Sequence, residues 1–126
     1  MRFVLLLVFF SFSAAAEVIC PPELKTDQKI IDAPKGWKEH EEKMNTRQTL
    51  VNAFFYDGHP DELASLVPDT DDKAQRNTWN FDKKQKPFVA CAYRNTYLQL
   101  IKELKVSKCE NQYANDWKEL KSVTCK

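Results

Sequence analysis

Apolar and polar positions alternate most cleanly in the last third of the chain. From Pro87 to Arg94, Phe88, Ala90 and Ala92 fall on one side of a period-two pattern, and Val89, Cys91 and Tyr93 on the other. That is the pattern of a strand half buried in a sheet. Asn95-Thr96 predicts a turn. Tyr97–Lys105, with Leu98, Leu100, Ile101 and Leu104, fits either period, but the short link and the flanking strands favour a strand. Lys108–Tyr113 and Leu120–Lys126 follow as two strands around an Asn115-Asp116 turn. Upstream, Thr49–Tyr56 is rich in β-branched and aromatic residues, and Thr78–Phe81 reopens the same character. Between them, Leu63, Leu66 and Val67 form an apolar island before Pro68, and the polar stretch Asp69–Asn77 predicts a solvated loop. Gln28–Ala33 predicts a short strand closed by Pro34-Lys35-Gly36. Trp37–Thr46 carries charges at a spacing that allows one or two turns of helix. The expected fold is mainly β: a small antiparallel meander in a single domain, with room for one short helix. Only two glycines serve its turns, so Asn, Asp and Pro must do most of the turning. Gly58, in the turn Asp57-Gly58-His59-Pro60, is expected to take a positive φ or to admit another backbone closely.

The N-terminus follows a different logic. Met1-Arg2 precedes the apolar run Phe3–Phe12, and Ser13-Ala14-Ala15-Ala16-Glu17 ends it with an A-x-A pattern. This predicts a secretory signal over residues 1–16, cleaved after Ala16, and a single exported domain over 17–126. The apolar run falls short of the roughly 20 residues a spanning helix needs, so no membrane insertion is expected after cleavage. Of 19 basic and 18 acidic residues, cleavage removes only Arg2 and leaves a formally neutral domain. A neutral domain has no built-in attraction to nucleic acid or anionic surfaces. A monomer is expected.

Export to an oxidising compartment makes the four cysteines candidates for two disulfides. Register chooses among the three pairings. In a hairpin of the last two strands centred on Trp117, Cys109 and Cys125 stand opposite each other, within disulfide reach. In a meander, Cys91 and Cys109 would be separated by a whole strand, about 9–10 Å. Cys109–Cys125 is therefore expected, leaving Cys20–Cys91 to tie the N-terminal segment to the sheet. No C-x-x-C spacing points to a metal site, and none is expected.

No catalytic residues or cofactor emerge from the motifs. His40 and His59 are the only histidines and share no ligand or catalytic spacing. Asp69, Asp71 and Asp72 begin like a calcium loop, but Lys73 stands where an oxygen ligand is needed. The candidate binding residues are Tyr93, Arg94, Asn95 and Tyr97, which place two aromatics and an arginine within one short connection, with Tyr56 as a further member of the row. Those residue types dominate binding hot spots.

Several blocks recur together: Cys20-Pro21, Pro34-Lys35-Gly36-Trp37, the run from Phe55-Tyr56-Asp57-Gly58 through Pro60 and Glu62 to Pro68-Asp69, Trp79-Asn80-Phe81, Cys91-Ala92-Tyr93-Arg94-Asn95-Thr96, Cys109 and Cys125. In these the chain resembles a family of small exported proteins of Gram-negative bacteria. The resemblance implies the periplasm and all four cysteines as family features, and it transfers no functional residue. The favoured reading is a non-enzymatic protein-binding module of the periplasm, inhibitor- or immunity-like. Periplasmic lysozyme inhibitors share this profile of size, export and disulfides, by analogy of type alone. The alternatives are a small periplasmic hydrolase using carboxylates or His59, and a structural subunit of an envelope complex.

Overall fold

The computed structural model describes residues 15–41 and 47–126. Among the described residues, nine strands carry the fold: β1 (Glu17–Val18), β2 (Glu23–Lys25), β3 (Arg47–Asp57), β4 (Asp69–Asp71), β5 (Arg76–Asn80), β6 (Pro87–Tyr93), β7 (Gln99–Glu103), β8 (Lys108–Ala114) and β9 (Glu119–Cys125). All pairings are antiparallel, and the strands divide into two sheets. One has the order β1-β9-β8-β5-β4 and the other β2-β3-β6-β7. The expected single meander is thus folded over. The chain leaves one sheet for the other after β1, β3, β5 and β7, and the two sheets share one core.

That core follows from strand alternation. Ala53 and Phe55 of β3 and Val89, Cys91 and Tyr93 of β6 point inward. They meet Trp79, Cys109, Val123 and Cys125 of the other sheet. The Phe55 and Trp79 rings lie 4.5 Å apart across the interface, a distance at which tilted aromatic pairs add to simple burial. Polar side chains also join the sheets: the Tyr113 hydroxyl of β8 donates to Asn52 Oδ1 of β3 at 2.6 Å. Asn111, fully buried on β8, donates from Nδ2 to the carbonyl of Ala53 at 2.9 Å.

Both expected disulfides form. Cys109 and Cys125 are directly opposed with Cα atoms 4.1 Å apart, and Cys20 pairs with Cys91. Cys20 lies where the chain passes from β1 to β2, so its bridge pins the N-terminal crossing between sheets. The hairpin register holds through Gln112↔Ser122 and then shifts before Tyr113↔Leu120.

Three expectations are corrected. Gln28–Ala33 forms no strand, because no neighbouring edge receives it. Asp69–Asn77 is not all loop: Asp69–Asp71 and Arg76 onward pair as a hairpin, with Thr70 Oγ1 donating to Asn77 Oδ1 at 2.8 Å. Trp37–Glu41 carries no helix, and residues 42–46 lie outside the described residues. Among the described residues, the helical turn is 3-10 and spans Pro60–Glu62.

Turning without glycine leaves its mark. Asn95, Asn115 and Asp116 take positive φ, and so do Leu63, Gln75 and Trp117. Asn and Asp tolerate that region. Gly58, at φ +92°, closes β3 while its amide donates to the Lys86 carbonyl. A Cβ there would stand 2.5 Å from Glu62 Oε2. Gly58→Val is expected to destabilise the domain by more than about 1 kcal/mol. An unchanged melting temperature would refute this.

Candidate functional site

The turn after β6 separates the four binding residues expected from sequence. Tyr93 is 3% exposed. Its hydroxyl donates to the Pro21 carbonyl at 2.8 Å, and burial holds its pKa above the ordinary tyrosine value. Tyr93 is therefore a core residue. The period that places Val89 and Cys91 inward carries it inward too. Arg94, Asn95 and Tyr97 do come together at the surface. The Arg94 amide donates to the Thr49 carbonyl, Asn95 takes φ +61°, and the Tyr97 side chain is fully solvated. Tyr56 does not join them: it pairs with Phe88, at the far end of β6.

His59 is a local cap. Its Nδ1 accepts from the Asp61 amide at 3.1 Å, and its ring meets Phe88 edge-on at 5.8 Å. A nitrogen engaged with the backbone in this way is not poised as a general base. Among the described residues, no three His, Cys, Asp or Glu side chains are grouped to hold a metal ion.

A different surface emerges from the register of β3, β6 and β7. Phe54 stands opposite Ala90, which stands opposite Ile101. Tyr56 stands opposite Phe88. These residues occupy the side of the sheet turned away from the core. Phe54 is 42% exposed and Ile101 44%. Ala90, between them in the register, is fully buried. Arg94 continues the outward column of Phe88, Ala90 and Ala92. The outward column of β7 ends in Glu103.

The opposite outer face is built differently. There Lys108, Glu110 and Gln112 of β8 stand beside Thr124 and Ser122 of β9 and Thr78 of β5. Lys108 Nζ and Glu110 Oε1 pair at 3.0 Å. One outer face of the molecule is polar, and the other is apolar along its centre.

The family model of the Type VI secretion system Tli immunity proteins matches residues 43–126. The chain belongs to that family. No curated protein and no solved structure matches it. Its function class is accordingly immunity-like: a module that binds a protein partner, which for such a system is a secreted effector. The matched segment contains all of β3, β6 and β7, and with them both the apolar face and the Arg94–Tyr97 turn. Two disulfides suit an oxidising compartment.

The residues of the apolar face were missed because each was read as half of an alternation with a solvated other half. A signal was present. Pro87–Tyr93 is apolar at every position, in both registers of the strand. Such runs mark strands covered on two faces, and the core covers only one of them.

Proposed function

We propose that this protein is a periplasmic immunity protein, which protects its cell from a type VI effector by binding it and performs no catalysis of its own. The observation that carries this reading is the family match over residues 43–126. Export as residues 17–126, after removal of 1–16, is part of the proposal. Its support is that Glu17 already pairs with Cys125 as the first residue of β1. The periplasm is favoured over the cytoplasm because both disulfides sit at buried, directly packed positions. Such bonds persist only where thiols are not kept reduced. Arg94, Asn95 and Tyr97 are proposed as part of the recognition surface. Arg and Tyr are among the residue types that dominate binding hot spots once a partner covers them.

The test is protection. Recipient cells expressing the full chain are expected to survive attack by type VI-armed neighbours that kill cells lacking it. Cells expressing residues 17–126 alone, held in the cytoplasm, are expected to die. Death of both would overturn the immunity reading, and survival of both would overturn the periplasmic one.

A further inference from the structure

The outer face of the β2-β3-β6-β7 sheet has the anatomy of an interface with nothing seated on it. At its centre is the cross-strand row Phe54, Ala90 and Ile101, flanked by Tyr56 and Phe88. Arg94 closes one end, and Glu103 closes the other beside His59, Lys84 and Lys86. An aromatic and aliphatic centre inside a polar, charged rim is how protein–protein interfaces are organised. From this geometry, and on the immunity reading above, we infer that the apolar face docks the effector, with Phe54 and Ile101 as the anchoring side chains.

Two observations support that surface over the rest of the molecule. The sandwich has two outer faces made by the same chain, and only this one gives up polar residues. In β6 the outward positions are Phe88, Ala90 and Ala92, whereas in β8 they are Lys108, Glu110 and Gln112. A strand that faced only water had no reason to be apolar on that side. Ala90 has no accessible surface of its own, so the side chains a partner would meet at the centre of this face are Phe54 and Ile101.

Size argues for an effector and against a second copy of this chain. Three strands at a spacing of about 4.8 Å make a strip roughly 15 Å wide, and Phe88 to Arg94 spans roughly 20 Å. An area on the order of 300 Å² suits the apolar centre of a standard interface, which buries about 800 Å² per partner. Permanent homodimers bury far more, and through more hydrophobic surfaces. The half-exposure of Phe54 and Ile101 fits a protein that must stay soluble alone until its partner arrives. The Arg94 end states part of the chemistry of that partner: a hydrophobic ridge with an acidic group toward Arg94.

The experiment uses the exported chain and the purified effector against which the wild type protects cells. Phe54→Glu and Ile101→Glu, made singly, are expected to weaken binding at least a hundredfold, with both disulfides formed and the melting temperature within a few degrees of wild type. Ser122→Glu, on the polar outer face, is expected to bind as wild type. Arg94→Ala with Tyr97→Ala is expected to weaken binding about tenfold, as a rim contact does. Full binding by the two glutamate variants would overturn the inference, and so would a free chain that is a dimer dissociated by Ile101→Glu. Loss of binding in Ser122→Glu but not in Ile101→Glu would move the interface to the other sheet. None of these results touches the immunity reading, which stands or falls on protection by the wild type.

Discussion

Replacing Cys20 and Cys91 together with alanine is expected to lower the unfolding free energy by about 4 kcal/mol, and the same change at Cys109 and Cys125 by about 3 kcal/mol. The order follows from the loops each bond closes. The first cross-link restrains residues 71 apart in sequence and the second residues 16 apart, and the entropy removed from the unfolded chain grows with the logarithm of that separation. The folded state points the same way. Without Cys20–Cys91, the N-terminal segment is held by the short strands β1 and β2, of two and three residues, and by single hydrogen bonds at Ile19, Pro21 and Pro22. Cys109–Cys125 instead reinforces a hairpin of seven-residue strands that is already hydrogen-bonded. Alanine is the substitute because all four positions are buried, and a serine hydroxyl there would need a partner. Against a usual total of about 5–15 kcal/mol, either loss is large, and loss of both would leave a chain made in a reducing compartment near the edge of folding. Urea unfolding of the two double variants and the wild type would measure this. A smaller loss for Cys20/Cys91 than for Cys109/Cys125 would show that the N-terminal crossing is not held by its bridge.

How much of this was legible in the sequence depends on how local the information is. β6, β8 and β9 are regular strands whose period and turn residues sit side by side, so their positions, and even the opposition of Cys109 and Cys125, follow from counting. β4 was hidden because Asp69-Thr70-Asp71 has no apolar residue to alternate. It is a strand only because β5 offers it an edge. Gln28–Ala33 fails in the opposite way, with apolar residues but no strand to pair with. Division into two sheets is a non-local property: it depends on Phe55 finding Trp79, 24 positions away. The candidate site shows the same limit. Period two correctly separates Phe88 from Val89, but it does not say which side is the core and which is left for a partner.

Phe54 and Phe55 turn that ambiguity into a measurement. Phe55→Ala is expected to cost about 3–5 kcal/mol of stability. The side chain is 1% exposed and packs against Trp79 at 4.5 Å and Phe81 at 6.1 Å, in the core between the two sheets. Removing it opens a cavity whose walls belong to different sheets, which the backbone hydrogen bonds within each sheet keep from collapsing inward. Phe54→Ala, one residue earlier, is expected to cost less than about 1 kcal/mol, because 42% of that residue is already in water and its cross-strand partner is the small Ala90. Denaturant titration of the two single variants separates the roles directly. Comparable losses would mean that both faces of β3 are packed in the free protein. In that case the outer face would be part of the fold and not a surface kept open for another protein.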